Sequence, residues 1–515
     1  MKAMDPVEIA LTQNRLDAIT EQMGWVMTRT ATSPIFSQSH DFSCFLTNAE
    51  GVIVAQADGI PIHTGSGGFV VPAILQDFDD ISDGDVFLLN DPYLAGGNHL
   101  PDWAVARPIF VEEILVGFAC NRAHQADIGG GAAGTYNTNA TEIFHEGVRL
   151  PALRLVERGK TRHDLWKLLQ ANTRTPDAMD GDLRAMVGST RIGSEGVEAL
   201  VRQIGLTQID AVFEVILDHA DQRQRIAFSE LPVGTYHAEE HSDNDCFELR
   251  DVVIRVALTI REDGSALIDF TGSDPQIKGF KNSSLANTYS AVLVAIAGFC
   301  DPDIPRNGGR FRAIEIIAPI GSIVNARAPA PMTMCTVFCA QDIIHAVWKA
   351  LAQAQPERAC AGWAKNIFGI TAGHDERGPY VLYHGAMAAG AGAVHGRDGF
   401  NSIGHVVTYG GFVIPDVEVT EQQYPVEFLR QEFRCDTGGP GQWRGGTGVD
   451  YEIQIDTPAS YSFRGEGLHT PSSYGTQGGL PGAAGDMDIL FPDGAIQAAP
   501  KYGVSSLDPI DLRAH

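Results

Sequence analysis

Apolar residues recur at helical spacing at the start of the chain. Val7, Leu11, Ile19, Met23, Val26 and Met27 predict a long helix reaching about Arg29. Asp5 stands where it can cap that helix, Pro6 fits its first turn, Glu8 completes a capping-box spacing, and Ser33-Pro34 closes the segment. The period then shortens to that of strands. Residues 42–46 and 52–55 read as a hairpin around Asn48-Ala49-Glu50-Gly51, residues 69–78 as a helix and residues 85–89 as a strand. Two further apolar runs, 103–110 and 114–121, are split by Val111-Glu112-Glu113 and predict a second hairpin. Residues 142–151 read as loop plus short strand. Residues 161–228 are mostly helical by pattern, with Gly205 ahead of a last helix over 208–228, and these helices should cover a sheet.

Residues 234–273 alternate in the strand period, with Glu262-Asp263-Gly264 as a hairpin turn. Helices are expected over 287–299 and over 341–354, the latter stopped before Pro356, with turn-rich connectors at 304–309 and 318–331. From Gly362 onward the chain is glycine-rich with short strands. The expected fold is α+β: mixed sheets with covering helices, in several packed subdomains. The divisions are an N-terminal α+β domain over 1–230 that carries the metal ligands discussed below, a β-rich segment with a helix over 231–300, and a glycine-rich α+β region over 301–515. No linker rich in serine, proline or charge separates them.

Composition narrows the function. The 515 residues are 44% hydrophobic and 20% charged, ordinary for a globular protein. A formal net charge of −27 argues against nucleic acid and anionic membrane surfaces, and suits a cytoplasmic enzyme docked to a less acidic partner. None of the eight cysteines forms a C-x-x-C pair, so a zinc ribbon is not expected, and most read as buried thiols of a reducing compartment. No signal-like apolar core, transmembrane run or short-period repeat appears.

The candidate chemistry sits in residues 90–131. His99-Leu100-Pro101-Asp102 and His124-Gln125-Ala126-Asp127 both read H-x-x-D, at mirrored positions about the second hairpin. With its turn centred near Glu112, residue 102 faces residue 122, and His99, Asp102, His124 and Asp127 meet at the open end. One H-x-x-D is common as a cap or surface pair. The mirrored pair, bordered by Gly96-Gly97 and Gly129-Gly130-Gly131, offers two imidazoles and two carboxylates to a divalent cation. Asp41, at the head of a strand, reads equally as a further ligand or a strand cap. His63, in a loop with Asp58, reads as a donor to substrate or as a partly buried loop histidine. Asp91 reads as a carboxylate orienting a ligand histidine or as a turn-former before Pro92. Cys120 reads as core. The glycine cluster at 436–448 lacks the Gly-Lys-Ser/Thr ending of a phosphate loop and reads as a tight loop pinned by Trp443 and Arg444. No G-x-S-x-G elbow is present.

These segments resemble the hydantoinase B/oxoprolinase family. The resemblance is carried by HDFSCFL at 40–46, NDPYLAGGNHLPD at 90–102, RAHQADIGG at 122–130 and HEGVRLP at 145–151. It continues with DPDIPRNGG at 301–309, YPVEF at 424–428 and DTGGPGQWRGGTG at 436–448. It implies a divalent metal (zinc, manganese or iron) held by Asp41, His99, Asp102 and His124, with Asp127 a ligand or the neighbour of one. Gln125 stands where the family often has a second histidine. The resemblance also implies a separate A-type subunit that binds ATP and phosphorylates a carbonyl, amide or bicarbonate oxygen. The present chain would then be the metal-binding subunit of a hetero-oligomeric, ATP-dependent amidohydrolase opening a hydantoin, lactam or oxoproline-like ring. His63 or Asp127 would relay the proton. The alternatives are a subunit of an acetone- or acetophenone-type carboxylase, and a metal-stabilised structural subunit.

Overall fold

The computed structural model describes residues 6–57, 59–385, 388–498 and 504–505; Asp5 and Asp58 lie outside the described residues. The chain opens with α1 (Pro6–Thr30) and the short α2 (Pro34–Ser37), then pairs β1 (Phe42–Asn48) with β2 (Ile53–Gln56). Next come α3 (Pro61–Thr64), α4 (Val70–Asp77), β3 (Val86–Leu89), β4 (Asp102–Val111), β5 (Ile114–His124), β6 (Leu153–Glu157) and β7 (Lys160–Thr161). The strands form one antiparallel sheet in the order β2-β1-β5-β4-β3-β6-β7. The helices α5 (His163–Ala171), α6 (Pro176–Ile204) and α7 (Ile209–Ser229) follow.

The sheet is buried on both faces. Trp103, Val105, Ile109 and Ala119 point into a core shared with Met23 and Met27 of α1 and Leu183 and Met186 of α6. Ala104, Ala106, Phe118 and Cys120 point the other way, against Val70, Val71 and Ile74 of α4. Two-sided burial explains why β4 and β5 are written as nearly continuous apolar runs.

The central hairpin closes through a two-residue turn in which Glu112 and Glu113 both have positive φ, 50° and 68°. That is the turn whose twist suits a hairpin, here made without glycine. The expected pairing of residue 102 with residue 122 is corrected by two positions. The turn is centred between Glu112 and Glu113, which moves the pairing by one position, and a bulge between Ile109 and Phe110 moves it by another, so Asp102 pairs with His124 and Ala104 with Arg122.

A second sheet, order β11-β10-β9-β8, is built from β8 (Gly234–Asn244), β9 (Leu249–Ile260), β10 (Ala266–Asp269) and β11 (Ile314–Ile317), with β10 and β11 parallel. It shares a core with α8 (Leu285–Phe299), capped by Ser284, and α9 (Ala340–Ala354). Beyond these, β12 (Ile367–Asp375) pairs with β13 (Gly378–Tyr383), β14 (Val426–Phe433) with β15 (Val449–Ile455), and β16 (Ala459–Gly465) with β12. The fold is α+β. The strand expected within 142–151 begins later, at Leu153, and a single turn at Ile143–His145 precedes it. The backbone of that stretch is bonded across loops instead: Leu150 exchanges bonds with Asn90, and the Val148 N–H reaches the Ile128 carbonyl. Among the described residues no helix is long and apolar enough to cross a membrane.

Candidate metal centre

The ladder pairing of Asp102 with His124 brings these two side chains together, and the loop before β4 adds His99. His99 Nε2 lies 2.7 Å from Asp102 Oδ1, and His124 Nδ1 lies 3.2 Å from the same oxygen. All three residues are buried, and their ligand atoms lie within 4.8 Å of one another. Asp41, at the head of β1, accepts the His124 backbone N–H on its own backbone carbonyl, and its carboxylate lies 3.6 Å from His63 Nε2. His63 Nε2 is also 3.4 Å from Asp102 Oδ2. Four of the six sequence candidates thus surround Asp102, with Asp41 reaching the group through His63.

Asp127 does something else. Its carboxylate accepts the backbone N–H groups of Gly129, Gly134 and Arg174 and pairs with the Arg174 guanidinium at 3.1 Å. It therefore shapes the glycine loop that sets Tyr136 against His124, the two rings stacked at 5.8 Å. Asp91 is a turn-former: its side chain accepts from the Tyr93 and Leu94 N–H groups and pairs with Arg149. Gln125 turns away from the cluster toward Met186 of α6.

The surrounding segments hold the imidazoles in place. The His99 Nδ1–H donates to the Thr333 carbonyl, which leaves Nε2 facing Asp102. The Thr333 and Met332 N–H groups in turn donate to Glu146, which is wholly buried. Asn90 ties the His99 loop to the Glu146 loop through Leu100, Val148 and Leu150. Arg122, buried in β5, donates to the carbonyls of His63 and Gly96 and to Asn98 and Ser66. One buried cation thereby fixes both the His63 and the His99 loops.

The electrostatics describe a place for positive charge. Burial acts against ionised Asp102, yet His99 and His63 hold its carboxyl well below the usual range. Burial likewise disfavours the His99 imidazolium, but Asp102 and the Thr333 carbonyl outweigh it and raise the His99 pKa. Asp41 is pushed up to about 6, chiefly by burial. Asp102 Oδ2, His124 Nε2 and His63 Nδ1 are buried without a hydrogen-bond partner. Buried polar atoms normally find partners, so this set of imidazole nitrogens and a carboxylate oxygen fits a divalent cation.

The cluster opens on a cavity of about 110 Å³ lined by Asp41, His63, His99 and His124, and also by Tyr136, Tyr383, His384, His405 and Arg464. The last five escaped sequence reading because they come from segments without a motif; only a buried charge in a strand, Arg464, could have signalled itself. A larger cavity of about 570 Å³ lies elsewhere, walled by the glycine-rich loops around 388–395, 437–451 and 473–488. Its buried ions are already matched: Glu466 pairs with Lys281 and Lys365, and Lys365 with Asp342. In the 436–448 loop, Trp443 packs on His395 at 4.6 Å and the Arg444 N–H donates to Asp398. Unpartnered buried ligand atoms are found instead at the smaller cavity.

The family profile described as hydantoinase B/oxoprolinase matches residues 5–508. The chain is 32% identical over 505 residues to the caprolactamase subunit beta of Pseudomonas jessenii, covering 95% of this chain and 84% of that one. It is 31% identical over 509 residues to 5-oxoprolinase 1 of Arabidopsis thaliana, covering 93% of this chain but 39% of that longer protein. The crystal structure of the ATP-dependent caprolactamase from Pseudomonas jessenii superposes with a TM-score of 0.86 at 30% identity, covering 97% of this chain and 87% of that one. Nucleotide-free acetone carboxylase shares the fold, with a TM-score of 0.87 at 22% identity over 94% of this chain and 66% of that one.

Proposed function

From the premise that the chain belongs to the hydantoinase B/oxoprolinase family, we propose that it is the metal-holding subunit of an ATP-dependent amidohydrolase. Its substrate would be a cyclic amide, activated by phosphorylation on a separate A-type subunit. The observation that carries this reading is the wholly buried Asp102 carboxylate shared by His99 and His124, with unpartnered ligand atoms at the edge of a small, largely apolar cavity. Asp41, His99, Asp102 and His124 would hold the ion. Such an ion, when bound, polarises a carbonyl and makes water acidic enough to attack at neutral pH.

The rest belongs to the chain itself. The apolar walls, with Ile60, Ile62, Val337 and Phe368, take a small ring and exclude bulk water. His63, its Nδ1 free of hydrogen bonds, is placed beside Asp41 and Asp102 to hold a proton at the reacting centre. Asp127 positions Tyr136 through the glycine loop. The test is an assay of the chain with its co-expressed A-type partner, a hydantoin, lactam or oxoproline, and ATP. Ring opening that needs ATP and the partner but no bicarbonate is expected. Incorporation of labelled bicarbonate from a ketone would instead assign a carboxylase.

A further inference from the structure

Arg464 is a buried cation without a counter-ion among the described residues. It is 3% exposed, and its Nε and Nη1 have no hydrogen-bond partner. Strand β16 sets it opposite Phe368 of β12 and into the wall of the cavity that holds His63, His99 and His124. Aromatic rings cover the faces of its guanidinium: the ζ carbon lies 3.4 Å from the centre of the Tyr136 ring and 5.0 Å from that of Phe368. Stacking of this kind leaves the N–H edges, which lie in the guanidinium plane, free to donate.

No carboxylate among the described residues compensates the charge. Among the described residues Arg464 makes no ion pair, and the acidic groups that bear on it are the phenols of Tyr136, Tyr383 and Tyr461. The carboxylate two residues along, Glu466, is held by Lys281 and Lys365. The histidines in the same wall, His384 and His405, are lowered to about 3 and about 4 by burial, with the Arg464 charge adding to it, so they are neutral. A guanidinium cannot shed its proton to escape burial, and an unpaired buried charge is expensive. Its planar fork matches the paired oxygens of a phosphate or carboxylate.

We propose that Arg464 is the receptor for an oxyanion in the metal cavity, so that the molecule processed there arrives carrying a phosphate or carboxylate group that docks on the guanidinium beside Tyr136. This rests on the reading of the site given above. A phosphate would be the group placed on the substrate by the partner subunit; a carboxylate would belong to the substrate itself.

The test is calorimetric titration of the full-length chain with inorganic phosphate and, separately, with acetate. Wild type, Arg464→Gln and Arg464→Lys are compared at equal measured metal content, with thermal unfolding to check that each is folded. Saturable binding at one site per chain is expected, at least tenfold weaker in Arg464→Gln and partly restored in Arg464→Lys. A preference for phosphate assigns the transferred group, and a preference for acetate assigns a substrate carboxylate. Absence of binding in the wild type, or equal affinity in a folded Arg464→Gln, overturns the proposal and leaves Arg464 as a prop for Tyr136. The outcomes separate from those of the metal reading. Arginine-dependent binding by a chain that holds no metal would sink that reading and leave this one standing.

Discussion

At the scale of single residues, the site depends on groups that never reach the substrate. Glu146 accepts two backbone N–H groups whose loop orients His99, and burial pushes its carboxyl up to about 7. A folded-state pKa above the unfolded value means that folding takes up a proton. Stability is therefore fullest below about 4.5 and declines as pH rises toward about 7. Glu146→Gln keeps an oxygen for both donors and removes the titration. Its thermal midpoint should change less across that window than the wild type's, a slope difference of at most about 1.4 kcal/mol per pH unit. Parallel curves for the two proteins would mean that Glu146 is ionised throughout. The sequence showed His99, Asp102 and His124 because each H-x-x-D pair is local. It could not rank Asp127 against Asp41, because that depends on which backbone amides the loop turns toward each carboxylate.

At the scale of elements, the site is the open end of the β4–β5 hairpin. The hairpin was legible from its two apolar runs and polar break, and its register was not. A turn centred between Glu112 and Glu113 and one extra residue, Val116, opposite the Ile109/Phe110 step together move the partner of Asp102 from Arg122 to His124. Arg122, two positions along, is thereby freed to fasten the His63 and His99 loops. The loop leading to His99 crosses the backbone so closely that a β-carbon on Gly97 would lie 2.0 Å from the Asn90 carbonyl oxygen. Gly97→Ala should destabilise the protein by about 1–3 kcal/mol, read from chemical unfolding, and should weaken metal retention as well. Unchanged stability and metal content would show that the loop can move aside without disturbing His99.

At the scale of the whole molecule, the cavity is assembled from distant parts of the chain. Asp41, the loop carrying His99 and the central hairpin supply the candidate ligand atoms, Thr333 steadies His99, and Tyr383 and Arg464 close the far side. The α+β class and the succession of elements could be read from periodicity. This convergence could not, because nothing local tells a strand near residue 464 that it will face the loop carrying Tyr136. The central claim is that His99, Asp102 and His124 hold a divalent ion. It is tested most directly by metal analysis of the purified wild type and of His99→Ala/His124→Ala, with thermal unfolding of both. About one ion per chain in the wild type, none in a folded double variant, and an ATP-dependent activity at least about 100-fold lower in that variant are predicted. Equal metal content in the two proteins would contradict the account.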